Sequence, residues 1–162
     1  MADHLKNMIS NAPRGKALMG LDVGKKTIGI AVCDDMHMIA TPVCTVQRTK
    51  FTKDIAEIAR LSREYDVGGY VVGYPMNMDG TEGPRCQSVR DFAAEFERQI
   101  GFENPWVVLW DERLSTVSVD EYVDKLVGKR KTKINAKSSG LIDKLAAQII
   151  LQGAIDFLSQ NK

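Results

Sequence analysis

The chain is poor in the residues that build zinc sites and disulfide frameworks. It holds two histidines, His4 and His37, and three widely spaced cysteines, Cys33, Cys44 and Cys86, with no C-x-x-C pair. An odd, scattered set of thiols reads as reduced cysteines, and too few soft ligands remain for zinc. Charge of one sign is lacking too: 22 Lys and Arg stand against 21 Asp and Glu, a net of +1. That balance excludes a histone-like mechanism driven by global charge and leaves room for a local nucleic-acid site. No apolar run reaches the length of a membrane helix. Met1–Lys16 carries Asp3, His4, Lys6, Asn7 and Asn11 where a signal peptide needs an apolar core, so a cytoplasmic protein is expected.

What is present suits one soluble domain. The 162 residues are 44% hydrophobic and 27% charged, enough to bury a sizeable core and too apolar for wholesale disorder. Residues 1–16 mix small and polar types without a period and read as an N-terminal tail, leaving 17–162 as the domain. From Lys16 the pattern alternates: Ala17, Met19, Leu21 and Val23 against Leu18, Gly20, Asp22 and Gly24. Gly24-Lys25-Lys26 reads as a turn into a second strand with Ile28, Ile30 and Val32 on one face, and a third extended run covers about His37–Val46, with Pro42 placing it at an edge. Helical spacing follows in Phe51–Tyr65, then a buried strand Gly69–Tyr74 and a long polar loop, Pro75–Pro84. A helix with Val89, Phe92, Ala93, Phe96 and Ile100 on one stripe leads to a second buried strand, Trp106–Trp110. Helices are expected over about Ser115–Val127 and from near Ser139 to Leu158, separated by a basic loop, Gly128–Gly140, that holds no acid. The order βββαβαβαα describes a mixed α/β sheet with helices on its faces.

Three carboxylates stand where a charge needs a reason. Asp22 interrupts an apolar strand, which destabilises a fold unless the charge is paired, solvated in a cleft or bound to a cation. Glycines at 20, 24 and 29 read as space cleared around it for a ligand's backbone. Glu112 lies just past Trp106–Trp110, the strand end where open α/β sheets place ligands. Its neighbour Asp111 points to the opposite side, so one of the two faces the site while the other caps a helix or pairs with Arg113. Asp143 falls on the inward stripe of the last helix with Ala146, Ala147 and Ile150. Three such acids able to converge on one sheet edge offer oxygen-only ligation, suited to Mg²⁺ or Mn²⁺.

Four stretches carry a resemblance. GLDVGKKTIGIAV (Gly20–Val32), VGYPMNMDGTE (Val72–Glu82), DERLST (Asp111–Thr116) and IDKLAAQIIL (Ile142–Leu151) resemble, in this order, the motifs of the YqgF/RuvX family. Its members are described as Holliday junction resolvases and as pre-16S ribosomal RNA nucleases. The likeness runs from about Leu18 to Leu158, with Lys26 where many relatives have Arg and Tyr74 where Leu is usual. It implies an RNase H-like fold: a mixed five-stranded sheet, three antiparallel strands then two parallel, flanked by helices. It also implies metal-dependent phosphodiester cleavage, with Asp22, Glu112 and Asp143 as catalytic acids and as ligands of Mg²⁺ or Mn²⁺, Asp22 bridging two ions. The partner implied is nucleic acid, either precursor rRNA or branched DNA, and a resolvase implies a two-fold homodimer. Lys25, Lys26, Asn77 and Arg113 would hold the strand near the cut, and Lys129, Arg130, Lys131 and Lys133 would follow its backbone. Trp110 and Tyr74 are expected as core or sheet-edge aromatics rather than base-stacking platforms. Sugar-kinase and actin-like ATPases share the Asp-x-Gly turn but need two lobes. A non-catalytic RNA-binding assembly or transcription factor is the other alternative.

Overall fold

Alternating apolar residues make β1 (Ala17–Val23) and β2 (Thr27–Cys33) an antiparallel pair. The turn between them is closed by the Gly24 N–H donating to the Thr27 carbonyl at 2.9 Å. The computed structural model describes residues 2–115 and 140–161. β3 (Ala40–Gln47) lies antiparallel on β2, and β4 (Val67–Tyr74) and β5 (Trp106–Asp111) run parallel to β1, giving the order β3-β2-β1-β4-β5. This is the mixed five-stranded sheet expected, three strands antiparallel and then two parallel. β3 starts later than the alternation suggested. The Asp34 carboxylate accepts from the N–H groups of Met36, Met38 and Ile39, and His37 takes a positive φ of 56°, so a turn satisfies the backbone that a ladder would otherwise pair.

The period of two sorts side chains into two cores. Met19, Leu21, Ile28, Ile30, Tyr70, Val72 and Tyr74 face α2 (Phe51–Glu64) and α3 (Pro84–Gln99). Leu18, Ala31, Val71, Val108 and Trp110 face the last helix, α4 (Leu141–Gln160). Trp110 and Tyr74 are both buried, as expected. Gln148 and Gln152 of α4 hydrogen-bond the backbone of Met38 and Ala40, which ties the helix to the edge strand. The helix expected over Ser115–Val127 and the basic loop with Lys129, Arg130, Lys131 and Lys133 lie outside the described residues, Ser115 excepted. No described helix is long and apolar enough to cross a membrane.

The N-terminal stretch departs from expectation. Residues read as a tail form α1 (Ala2–Asn11), whose Met8 is fully buried beside Leu5 and Ala12 against the α4 side of the sheet. His4 Nδ1 accepts the outward N–H of Leu109 at 3.1 Å, so the helix covers the β5 edge and satisfies a donor the ladder leaves over. Leu5, Met8 and Ala12 recur at three and four residues, the spacing that carried this information.

The glycines of β1 and β2 serve the helix. A Cβ on Gly20 would lie 2.7 Å from Leu151 Cβ and 2.8 Å from the Ala147 carbonyl, and one on Gly29 would lie 1.9 Å from the Asp143 carbonyl. Both positions admit the backbone of α4, which corrects the reading that they cleared space for a ligand. Gly24 serves the turn. Gly29→Ala must therefore push the first turn of α4 off the sheet, a destabilisation of about 1–3 kcal/mol, checked by urea unfolding. A midpoint equal to the parent's would refute this seating.

Candidate active site

Strand parity brings the acids to one face. On β1 the even residues Leu18, Gly20 and Asp22 lie on the α4 side, while Leu21 and Val23 face α2 and α3. The β4 and β5 ladder pairs Gly73 with Trp110 and Tyr74 with Asp111, and Glu112 follows in a single 3₁₀ turn, Glu112–Leu114. Glu112 therefore shares the α4 side. A Cβ on Gly73 would come within 2.9 Å of Glu112 Oε1 and 2.4 Å of Ile150 Cδ1, so the missing side chain on β4 is the space into which Glu112 reaches.

Asp143 arrives from the first turn of α4. Asp22 pairs in register with Gly29, and Gly29 supports the Asp143 backbone. Thr27, at the start of β2, donates its hydroxyl to Asp143 Oδ2 at 3.1 Å and fixes the direction of that carboxylate. Asp22, Glu112 and Asp143 are all half-buried.

Asp111 takes the other role left open for the pair. It is buried, 5% exposed, and accepts from the Arg113 guanidinium at 2.7 and 3.1 Å and from the Arg113 N–H at 3.0 Å. Burial by itself would raise its pKa, but the bonds from Arg113 outweigh that and hold it below the usual range. Arg113 is thus tied to Asp111 through its guanidinium and its backbone N–H. Asn77 is likewise engaged within its loop, donating to Thr81 Oγ1 at 3.0 Å. Glu82 accepts from Tyr74 at 2.7 Å and pairs with Arg90, latching the end of that loop to α3. Lys25 and Lys26 stand exposed at the β1–β2 turn, next to Asp22.

The electrostatics separate the site acids from the structural ones. Burial pushes Asp22 up to about 6, with Arg85 opposing and Asp143 adding to the rise. Burial pushes Glu112 up to about 7, with the charge of Asp22 adding and Arg85 again opposing. Asp22 thus feels the charge of Asp143, and Glu112 feels the charge of Asp22. Arg85, in the first turn of α3, is the cation that acts on both, and its Nη2 donates to the Val23 carbonyl at 3.5 Å. Sequence reading missed Arg85 and Thr27, because neither breaks a hydrophobic pattern and only the fold carries them to Asp22.

The donor set is chemically right for a hard divalent cation, being all carboxylate and strained by its own repulsion. Among the described residues, however, no three His, Cys, Asp or Glu side chains close to metal-holding spacing. The three acids share a face and an end of the sheet without closing to that spacing.

An RNase H-like mixed sheet with acids at one end of its central strands is the architecture defined so far, and solved structures share it. T. thermophilus RuvC in complex with a Holliday junction substrate matches with a TM-score of 0.54 at 14% identity, covering 90% of this chain and 95% of that one. The yeast mitochondrial Holliday junction resolvase matches at 0.53 and 11% identity, covering 97% and 85%. At such identities the likeness is one of fold. The RuvX family model, described as Holliday junction resolvase, matches residues 16–157. A Rhodospirillum centenum protein named "Putative pre-16S rRNA nuclease" is 48% identical over 98% of this chain and 82% of its own length. One from Roseobacter denitrificans, with the same name, is 44% identical over 93% and 88%. The chain belongs to the RuvX (YqgF) family.

The raised acids give a pH dependence with a definite sign. Folded pKa values above the unfolded ones mean that these two groups bind more protons in the folded chain, so their contribution to stability is most favourable in acid and falls as pH rises from the ordinary carboxylate range through about 7. Asp22→Asn removes one of the repelling charges. It should stabilise the metal-free protein by about 1–2 kcal/mol at about pH 8, roughly 2–8 °C in melting temperature. Thermal melts across pH check this, and a variant that melts lower than the parent at high pH would contradict the repulsion.

Proposed function

We propose that the protein is a cytoplasmic, divalent-metal-dependent endonuclease that hydrolyses phosphodiester bonds and processes the 5′ end of precursor 16S rRNA. The observation that carries the reading is the placement of Asp22 and Glu112 on one face across the vacancy of Gly73, with Asp143 brought to the same corner by α4. The names of the family's relatives support the RNA substrate.

Asp22, Glu112 and Asp143 would be the ligands, with Asp22 as the shared one, coupled by charge to Asp143 and to Glu112. A bound Mg²⁺ or Mn²⁺ supplies a lowered pKa for water and a counter-charge for the departing oxygen. The chain does the positioning. Thr27 directs Asp143, and buried Ile150 and Trp110 line the corner with apolar surface, which lowers the local dielectric and strengthens charge interactions there. Lys25 and Lys26 reach phosphates flanking the cut from the turn beside Asp22. Arg113 acts by holding Asp111, and through it the 3₁₀ turn that carries Glu112. Asn77 shapes the rim loop. Lys129, Arg130, Lys131 and Lys133 would track the backbone farther out.

A second reading, cleavage of four-way DNA junctions, is favoured by the resolvase fold, and a two-fold dimer belongs to it. One experiment separates the two. The purified protein with Mg²⁺ or Mn²⁺ is incubated with a precursor rRNA 5′ segment and, separately, with a mobile junction. Cleavage of the RNA alone is expected, lost to background in Asp22→Asn and in the presence of chelator. Junction cleavage in its place would favour the resolvase, and metal-dependent activity retained by Asp22→Asn would overturn the acid assignment. Cleavage of neither substrate by a folded protein would favour the non-catalytic RNA-binding alternative.

A further inference from the structure

On the opposite side of the sheet from α4, a cleft of about 620 Å³ opens beside Asp22. Its walls come from three segments: the turn after β1 with Val23, Gly24 and Lys25, the β3–α2 connection with Arg48, Thr49 and Phe51, and the face of α3 from Arg85 to Glu95. The volume falls within the roughly 300–1,000 Å³ of pockets that hold ligands of drug or nucleotide size.

Its charge is graded. Lys25, Arg48 and Arg85 lie at one part of the lining, and none has a carboxylate within ion-pair distance among the described residues. Arg48 ties this end together, donating to the Gly24 carbonyl at 2.6 Å while its guanidinium covers the Phe92 ring at 5.5 Å. Asp91 and Glu95 lie farther along α3, where Asp91 accepts from Gln87 and Glu95 from Arg98 and Gln99. An anion entering the cleft is drawn to the end beside the acid site. The apolar surface comes from half-buried Phe51, set edge-on to Phe92 at 5.5 Å, with Val89 next to it. Arg85 joins the two features, since it lines the cleft and also opposes the charges of Asp22 and Glu112.

We propose that this cleft takes one unpaired nucleotide adjoining the scissile phosphate, its phosphate between Lys25 and Arg85 and its base against Phe51. The proposal rests on the nucleic-acid reading above and adds a strand requirement to it. A cleft with a floor admits a base turned out of a single strand, whereas a base stacked in a duplex cannot reach Phe51. The enzyme would thus select a substrate with an unpaired segment on one side of the cut.

Binding of a short fluorescein-labelled unpaired RNA, measured by anisotropy with chelator present, tests this without reference to cleavage. Each of Lys25→Gln and Arg85→Gln should lower the slope of log affinity against log salt by about 0.7, one phosphate contact on a single strand, and Arg85→Lys should restore most of it. Phe51→Leu should weaken binding several-fold with the slope unchanged. A fully paired duplex of the same sequence should bind more weakly and should not respond to Phe51→Leu. Salt slopes unchanged in both charge variants, or a duplex bound as tightly as the single strand, would overturn the cleft assignment. Failure of the nuclease reading would look different: the folded protein would cleave neither substrate while the salt slopes still fell in the two charge variants.

Discussion

The structure depends on a conflict between burial and charge at one end of the sheet. Carboxylates at a partly desolvated corner repel, and burial raises both Asp22 and Glu112 well above the range of free acids. Nothing in the packing calls for this. Gly73 could carry a side chain only if Ile150 and Glu112 both moved, and Asp22 belongs to neither apolar core. A fold that keeps a repulsive group at the cost of stability is a fold whose site holds strain for a purpose.

Holding that group in place falls to α4. Its first turn presents Asp143, and its position over β1 and β2 is set by two glycines whose absent side chains let backbone approach backbone. The same helix reaches the edge strand through Gln148 and Gln152, so its translation along the sheet is pinned at one end by packing and at the other by hydrogen bonds. A shift of α4 by a fraction of a turn would turn Asp143 away from Thr27, and the site would lose its third acid before the core lost much contact. Site geometry is accordingly more sensitive to the β1–α4 contact than stability is.

Much of this was legible in the sequence because it rests on period. Strand alternation placed Asp22 within an apolar run, and the order of elements gave the mixed sheet. The choice between Asp111 and Glu112 was one of parity, and it needed the register of β5 against β4 and the bonds from Arg113 to Asp111. Glycine was misread because its lack of a side chain says that something comes close without saying what; at positions 20 and 29 the neighbour is the last helix, α4, far away in the chain. The α1 signal was three apolar residues among polar ones, too few to stand out until β5 offered an uncovered edge. Arg85 and Thr27 were invisible for a different reason: each is an ordinary surface residue in its own segment and acquires a role only through the fold.

Charge balance links the two faces of the sheet. Three carboxylates opposed by one guanidinium leave two negative charges unbalanced, the charge of a single divalent cation. A phosphodiester brought to the same corner adds another negative charge and needs further positive charge from outside the acid group. Lys25 and Arg85 stand between the acids and the cleft and are placed to supply it. The acids alone would repel a nucleic acid, and the cations alone would hold it anywhere along its backbone. Under the proposed reading, their juxtaposition across β1 would fix where a strand sits, because there, among the described residues, a cation-attracting corner and an anion-attracting cleft meet.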